Sequence, residues 1–181
     1  MMYELPSSVA VCEKEYAIET DFRAILDIFS VMSDGDLTRG EQTIGILGIF
    51  YKDFLSMPSE CFEEAVRKIF WFINGGKEEK QGKPPKLMDW EQDFQYLIAP
   101  INRIVGQEIR SIEYLHWWTF LSYYQEIGDC YFAHIVRIRD LKARGKLKDK
   151  ADKEFYRKNK EVIDLKTRYS EIEEEIIKAW T

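Results

Sequence analysis

The chain of 181 residues is acidic, with a formal net charge of −6, and 45% of its residues are hydrophobic. This hydrophobic content is enough to build a buried core and argues against global disorder. Nucleic-acid-binding domains neutralise phosphates with basic surfaces, so the acidity argues against that class of function. We therefore expect a folded domain, or a domain with an appendage, that binds no nucleic acid.

The sequence also argues against a secreted or membrane-bound protein. The N-terminal residues 1–6 have neither a basic region nor an apolar region of the kind found in signal peptides. The longest apolar run is far shorter than the roughly 20 residues of a membrane helix. The three cysteines Cys12, Cys61 and Cys130 are far apart and odd in number, which is not typical of a disulfide framework. We expect thiols in a reducing cytoplasm and no membrane partner.

The predicted elements begin with a β-hairpin over residues 8–19. Val9, Val11, Tyr16 and Ile18 recur with period two on either side of a polar turn, although the turn lacks Asn-Gly. A hairpin alone is marginally stable in water, so it must lie on helices. The first of these starts at Thr20-Asp21, carries an apolar stripe and ends near Asp34.

Two further helices are predicted before residue 76. The segment 38–41 has the sequence of a capping box, which starts the second helix. Gly45 and Gly48 weaken that helix by about 1 kcal/mol each relative to alanine, and we expect the close approach of a neighbouring backbone to compensate. A third helix runs over residues 59–73 and stops at Asn74-Gly75.

Residues 77–86 have the composition of a mobile linker loop, with glycine and proline at the ends and charge between them. The loop divides the chain into an N-terminal part, residues 1–76, with the hairpin and helices, and a C-terminal helical part, residues 87–181. The two parts belong either to separate domains or to one domain.

The C-terminal part begins with a helix capped by Asp89, with Gln92 three residues later. Pro100 falls inside its pattern and predicts a kink or a stop near Ala99. A fifth helix holds the double tryptophan and ends near residues 127–128, and Asp129 is predicted to cap a sixth that runs to Ala143. The fold class is therefore mainly α, with six to seven helices and an N-terminal β-hairpin.

The last forty residues are highly charged but contain apolar positions four, three, four and three residues apart. These are Leu165, Tyr169, Ile172, Ile176 and Ala179. This spacing is an a/d seam. It indicates either a tail helix packed on its own domain or a strip for self-association, so a homo-oligomer is one expectation.

No constellation of residues supports catalysis, a metal or a cofactor. Cys130 and His134 are four residues apart on a predicted helix, but zinc needs three or four ligands and none completes the set. The carboxylates of Asp89 and Asp93 are explained by capping and by the helix dipole. Segments 34–45 and 76–84 depart from the calcium-loop and phosphate-loop patterns at essential positions. We expect a protein that is not an enzyme.

A basic segment runs from Arg137 to Lys160. Four acidic residues interrupt its Lys and Arg residues. This mixture favours a solvated helix-loop-helix face over a nucleic-acid site.

Large aromatic side chains are the remaining candidates for function. Adjacent residues on a helix point about 100° apart, so Trp117 and Trp118 cannot both face one core in the same way. We interpret Trp90, Tyr114, Trp117 and Trp118 as candidate partner-binding residues. The alternative is that they are core, which is the usual fate of aromatics at helical spacing.

Two segments together carry a resemblance to a known family. The sequence Met88-Asp89-Trp90-Glu91-Gln92-Asp93-Phe94, followed by Tyr114-Leu115-His116-Trp117-Trp118-Thr119-Phe120, resembles the signature of the bacteriophage gene-product-fifteen family. Asp21-Phe22-Arg23, Phe72-Ile73-Asn74-Gly75-Gly76 and Ile138-Arg139 agree in order, so the likeness covers nearly the whole chain.

The resemblance implies a role in tail morphogenesis of siphophages and prophages of Gram-positive bacteria, with a gene close to the tape-measure gene. It implies no catalytic residue and no cofactor. We therefore expect a tail assembly chaperone that binds the tape-measure protein or tail tube subunits in the cytoplasm of the infected or lysogenic host. The alternative is a structural tail completion or connector component that oligomerises in the virion.

Overall fold

The computed structural model describes residues 4–77 and 85–165. Within these residues the chain forms one two-stranded sheet and eight α-helices, which confirms the predicted fold class. The count exceeds the predicted six to seven helices because the charged C-terminal region contains two short helices, α7 (Lys150–Lys158) and α8 (Lys160–Ile163).

The N-terminal hairpin forms as predicted, from β1 (Ser8–Val11) and β2 (Lys14–Ala17) in antiparallel register. Its two-residue turn places Cys12 and Glu13 at φ values of +46° and +64°. Positive φ at both central residues is the geometry of the tight turn for which Asn-Gly is the usual sequence. The hairpin thus adopts this turn without the residues that normally favour it.

A disulfide joins Cys12 at the tip of the hairpin to Cys61, which corrects the expectation of three thiols. Only Cys130 is a free cysteine in the described part of the chain. The backbone N–H of Cys12 also donates to Glu64 Oε2 at 3.3 Å. Cys61 ends the turn before the third helix, and Glu64 lies in the first turn of that helix. The disulfide and this hydrogen bond therefore attach the hairpin tip to the start of the third helix.

The first two helices are α1 (Phe22–Ser33) and α2 (Arg39–Phe50). Thr38 and Glu41 form the predicted capping box, in which each side chain accepts the other residue's backbone N–H. At Gly45 the close neighbour is a side chain and not the predicted backbone, since a Cβ there would lie 3.0 Å from the Val31 side chain. The absence of a side chain at Gly45 therefore lets α1 and α2 pack closely.

Helix α3 spans Phe62–Ile73 and begins later than predicted, because Ser59–Cys61 form a 3-10 turn. A second 3-10 turn, Phe54–Ser56, precedes it. The core around these helices is aromatic and aliphatic. It includes Val11, Phe22, Ile25, Ile28, Leu47, Phe50, Ile69, Phe72 and Phe120, each nearly or fully inaccessible to solvent.

The later helices are α4 (Trp90–Val105), α5 (Trp117–Gln125) and α6 (Tyr131–Ala143). Pro100 lies inside α4, so of the predicted kink or stop near Ala99 the stop is wrong and the kink stays a prediction; the helix ends at Gly106 with φ +79°. The cap of α6 is Cys130 and not Asp129, because the Cys130 Sγ accepts the N–H of Ala133 at 3.4 Å. A small apolar core of Ile135, Ile138 and Ile163 joins α6 to α8.

The described chain forms two compact units. The first contains residues 4–77 and 113–121, and the second contains residues 85–112 and 122–165. The segment Glu113–Leu121 thus belongs with the N-terminal residues, although it follows the predicted linker loop in sequence. The division into 1–76, a linker at 77–86 and 87–181 stays a prediction.

The predicted seam falls mostly outside the described residues. Only Leu165 is described, and it follows α8 without belonging to a helix. The roles of Tyr169, Ile172, Ile176 and Ala179 therefore stay predictions.

Candidate functional site

The side chains of Trp117 and Trp118 both donate hydrogen bonds to carbonyl oxygens at the C-terminal end of α3. The indole N–H of Trp117 donates to the carbonyl oxygen of Ile73 at 2.9 Å, and that of Trp118 donates to the carbonyl oxygen of Phe72 at 2.8 Å. The last four carbonyls of a helix have no partner within the helix. The Trp117 indole therefore supplies a donor to the Ile73 carbonyl, and the Trp118 indole shares the Phe72 carbonyl with the backbone N–H of Gly75, which donates to it at 3.0 Å.

The chain leaves α3 through two glycines that this arrangement requires. Gly75 and Gly76 have φ values of +68° and +79°, and the N–H of Gly76 donates to the Trp71 carbonyl at 2.9 Å. A Cβ at Gly76 would lie 2.8 Å from Cη2 of Trp118, closer than real contacts allow. Both the positive φ of Gly76 and the adjacent Trp118 indole therefore favour glycine over any residue with a side chain at this position.

The two tryptophans differ in exposure. Trp117 is 1% exposed and stacks on Phe120, with ring centroids 5.3 Å apart. Trp118 is half-buried, 5.7 Å from both Trp71 and Phe72. In this conformation Trp117 has almost no surface to offer a partner, whereas Trp118 keeps part of its ring accessible.

The segment before α5 is held by Asp21, the residue that caps α1. Its carboxylate accepts the backbone N–H of Arg23 at 2.9 Å and that of Leu115 at 3.0 Å. The backbone continues this pairing, since Phe22 N–H donates to the Leu115 carbonyl at 3.0 Å. One carboxylate therefore begins a helix and fixes a segment more than ninety positions away in sequence.

Tyr114 is the exposed aromatic of this segment. Its side chain is 55% exposed, and its hydroxyl lies 2.7 Å from Oγ1 of Thr20. The hydrogen bond at the tip limits the motion of the ring while leaving much of it in solvent. Among the four candidate residues, Tyr114 presents the largest accessible aromatic surface in fractional terms.

His116 begins α5. Its Nδ1 accepts the backbone N–H of Trp118 at 3.1 Å, which assigns the ring proton to Nε2, 3.1 Å from the Pro6 carbonyl. Burial lowers the pKa of His116 below its ordinary value of about 6.5, although the Pro6 carbonyl favours the protonated form. The neutral ring therefore acts as a helix cap and as an anchor for the N-terminal residues.

Trp90 lies in the second unit. It is half-buried and packs against Tyr124, with ring centroids 5.3 Å apart. Asp89 caps its helix as predicted, since Oδ1 accepts the N–H of Gln92 at 2.9 Å. The partner-binding roles of Trp90, Tyr114, Trp117 and Trp118 stay predictions.

Asp93 of α4 and Arg139 of α6 form a buried ion pair that the sequence analysis did not predict. The guanidinium of Arg139 donates to both carboxylate oxygens of Asp93, at 2.6 and 2.9 Å, and both side chains are buried. Its remaining N–H groups donate to the carbonyls of Leu87, Val162 and Ile163. Arg139 is therefore fully hydrogen-bonded, which corrects its assignment to a solvated basic face.

Gln92 completes the same network. Its side-chain amide donates to the carbonyls of Val162 and Asp164 at 3.0 and 3.1 Å. Together with Arg139 it satisfies the carbonyls at the end of α8. Asp89, Gln92 and Asp93 thus combine a cap on α4 with two further contacts: Gln92 binds the end of α8, seventy residues later, and Asp93 binds Arg139 of α6.

Other basic residues of the segment form exposed ion pairs. Arg137 pairs with Asp152, Lys142 with Asp164, Arg144 with Asp140 and Lys158 with Glu154. Pairing of this kind reduces the positive charge available to phosphates.

The described residues hold no group of three or more His, Cys, Asp or Glu side chains arranged for a metal ion. His134 stacks on Phe155 with ring centroids 3.9 Å apart, and Cys130 is occupied as a helix cap. Of the helices in the described ranges, none has the length and apolar character to cross a membrane.

Comparison with known families identifies the chain. Residues 1–165 match the family described as bacteriophage Gp15 protein. The chain belongs to this phage protein family. No curated protein and no solved structure matches it. The segments that carry the resemblance to the Gp15 family have structural roles here. They contain the Trp117 and Trp118 indoles that bond to α3, the Gly75-Gly76 turn after α3, the Asp21 cap and the Asp93–Arg139 pair.

Proposed function

We propose that this Gp15-family protein is a tail morphogenesis factor, and specifically a tail assembly chaperone that binds the tape-measure protein or tail tube subunits in the host cytoplasm. The family match over residues 1–165 supports a phage role. A tape-measure protein is a very long helical chain with much apolar surface, which would aggregate before the tail tube encloses it. A chaperone of this kind needs binding surfaces and no catalytic group.

Aromatic residues of the family segments supply a proposed binding surface in each unit. Tyr114 and Trp118 leave aromatic surface accessible in the first unit, and Trp90 does so in the second. Aromatic side chains bury a large area at little entropic cost, and apolar anchors of a partner helix pack well against them. Trp117 is buried in the first unit, where its indole N–H donates to the Ile73 carbonyl.

The acidic character of the chain fits the same role. A net charge of −6 would keep a complex with an apolar partner in solution, because like-charged complexes repel one another. The proposal includes no cofactor and no nucleic-acid partner.

Co-expression with the tape-measure protein tests the proposal. We expect a soluble complex with the wild type and a loss of complex with Tyr114→Ser, because the exposed ring is removed while the core is untouched. Tyr131→Ser is the matched control, since Tyr131 is 45% exposed and also holds a hydroxyl hydrogen bond. Unchanged solubility of the tape-measure protein and no recovered complex would end the chaperone proposal.

A structural tail completion or connector component is the second candidate. The a/d spacing of Leu165, Tyr169, Ile172 and Ile176 favours it, because such a seam can join copies of the chain. Mass measurement in solution separates the two functions. A closed ring, together with presence in purified virions, supports the structural component, whereas a monomer or dimer absent from virions supports the chaperone.

A further inference from the structure

The Cys12–Cys61 disulfide joins two cysteines that differ in their access to solvent. Cys12 is exposed at the tip of the hairpin, whereas Cys61 is 4% exposed at the start of α3. A disulfide exchanges with a thiol only when the thiolate reaches one of its two sulfur atoms, so access selects the sulfur that is attacked. In the folded chain the Cys12 side of the bond is the side that a dissolved thiol can reach.

The turn that carries Cys12 holds its backbone in an unfavourable conformation. Cys12 and Glu13 have φ values of +46° and +64°, in the left-handed region that residues other than glycine, asparagine and aspartate seldom occupy. Such conformations persist only where surrounding contacts hold them. Two exposed hydrogen bonds act beside the disulfide, since the Cys12 N–H donates to Glu64 Oε2 at 3.3 Å and Lys14 Nζ donates to Ser56 Oγ at 3.1 Å. The disulfide is the covalent part of the hold on this turn.

The base of the hairpin is held by other means. The N–H of Glu19 donates to the Phe50 carbonyl at 2.7 Å, and the N–H of Lys52 donates to the Ala17 carbonyl at 3.1 Å. Ile18 is 1% exposed in the core. These backbone bonds and this burial involve neither sulfur atom. Breaking the disulfide therefore removes a contact from the tip of the hairpin and leaves the contacts of its base in place.

We propose that Cys12 is an exchange site for small cellular thiols, and that its bond to Cys61 is a reversible attachment of the hairpin tip. A thiolate attacks Cys12 Sγ and forms a new S–S bond there, while the bond to Cys61 breaks. The electron pair of the broken bond leaves on Cys61 Sγ, which takes up a proton. A second thiolate then attacks the small-molecule sulfur of the mixed disulfide, and Cys12 leaves as a thiolate that is protonated in turn.

Each protein disulfide is thus reduced by two small thiols, which are oxidised to one small-molecule disulfide. The same steps in reverse re-form the Cys12–Cys61 bond and reduce the small disulfide to two thiols. Reducing surroundings therefore free the turn at Cys12 and Glu13, and oxidising surroundings fix it. This inference does not depend on the proposed tail function, because it uses neither the candidate aromatic residues nor a protein partner.

The site of attack is tested with reduced glutathione on the oxidised full-length Cys130→Ser protein, in which the disulfide pair contains the remaining cysteines. After quenching with acid, peptide mass spectrometry locates the glutathione adduct. We expect the adduct on Cys12 to exceed that on Cys61 at least about tenfold in the folded protein, and the two to be roughly equal in urea, where both sulfurs are accessible. The wild type is measured alongside, since the method assigns an adduct to each cysteine separately. Equal adducts in the folded protein, or a reaction that needs urea, would overturn the proposal.

The release of the turn is tested by NMR relaxation of the full-length protein in its disulfide and dithiol forms. In the dithiol form we expect the backbone order parameters of Cys12 and Glu13 to fall from about 0.85 to about 0.6 or less, while those of Ile18 and Glu19 stay near 0.85. Cys12→Ser combined with Cys61→Ser should give the dithiol pattern without any reductant. A rigid turn in both forms would contradict a reversible attachment, and so would an equal fall at Ile18 and Glu19.

Discussion

A single glycine limits the contact between the double tryptophan and the end of α3. Gly76 has φ +79°, and a Cβ there would meet the Trp118 indole at 2.8 Å, in a region where both backbone and ring are held by hydrogen bonds. Neither can move away without losing one of those bonds. The cost of a side chain at this position therefore has two sources, strain in the backbone and displacement of the ring.

We predict that Gly76→Ala lowers the free energy of unfolding by about 2–4 kcal/mol, because it combines both costs. Gly75→Ala is the matched control. Its φ of +68° is similar, but a Cβ there would make only an ordinary 3.6 Å contact with Leu121, so it should cost about 1 kcal/mol. Urea unfolding followed by tryptophan fluorescence measures the difference, and equal losses would contradict the indole contact.

The Asp93–Arg139 pair predicts a different result at the residue scale. Removing one partner leaves the other buried without compensation, so Asp93→Asn should lower the free energy of unfolding by about 3–5 kcal/mol. The exposed pair Arg67–Glu63 is the control, and Glu63→Gln should change it by less than about 1 kcal/mol. A small loss for Asp93→Asn in urea unfolding would mean that the guanidinium is held by the carbonyls alone.

His116 predicts how stability depends on pH. Its pKa is lowered in the folded state by burial, so the unfolded chain binds the proton more tightly. The stability that the neutral ring supports is complete above the unfolded-state pKa of about 6.5, and it is lost as the pH falls below that value toward the folded-state pKa. The protonated ring also could not accept the N–H of Trp118 at Nδ1.

We therefore expect the melting temperature of the wild type to fall between pH 7.5 and pH 5 by more than that of His116→Asn, whose amide oxygen can still cap the helix but does not titrate. Scanning fluorimetry across this range measures both. Parallel curves for the two proteins would show that other groups cause the pH dependence.

At the scale of elements, several predictions from local sequence signals are confirmed, whereas contacts between residues far apart in sequence were not predicted. The capping box at Thr38 and Glu41, the Asp89 cap and the stop at Asn74-Gly75 depend on residues within one turn of each other, and the structure confirms them. The bonds of Trp117 and Trp118 to α3 join residues 44 and 46 positions apart, and no local pattern encodes them.

Arg139 and Pro100 are positions at which the structure differs from the prediction for identifiable reasons. Arg139 lies in a segment whose average composition is basic and solvated, and only the position of Asp93 in α4 shows that it points inward. Pro100 does not stop α4, since a missing N–H removes one hydrogen bond while the packing of Leu97 and Ile101 on either side stabilises the helix. Burial that depends on tertiary packing is what the sequence alone could not supply.

The hairpin is the element whose stability is predicted to depend on a covalent bond, the Cys12–Cys61 disulfide. The Cys12–Cys61 disulfide closes a loop of 49 residues, so reducing it or replacing both residues by serine should cost about 2–4 kcal/mol. Urea unfolding with and without dithiothreitol measures this. Thiol titration of the unfolded protein should find one thiol before reduction and three after. Three thiols in protein purified without reductant would show that the pair exists as a dithiol.

At the scale of the whole molecule, the order of the chain and the order of its packing differ. Residues 113–121 follow the predicted linker loop in sequence, yet they complete the first unit: Trp117 donates to Ile73 through its indole and to Thr20 through its backbone N–H, at 2.9 and 2.7 Å. Cutting the chain between residues 77 and 86 should therefore not release the N-terminal residues. The two fragments would instead stay associated, because each contributes residues to the first unit.

We predict that a protein with a site-specific protease sequence inserted after Gly82 elutes as one species in size exclusion after complete cleavage. The fragments should separate only in urea, because separation exposes the buried Trp117 ring and breaks the pairing of Phe22 with Leu115. In the cleaved Trp117→Ala variant, loss of the ring should lower the free energy of separation by about 3–5 kcal/mol and shift the transition to lower urea. An N-terminal fragment that elutes alone without denaturant would mean that residues 113–121 do not hold the first unit together.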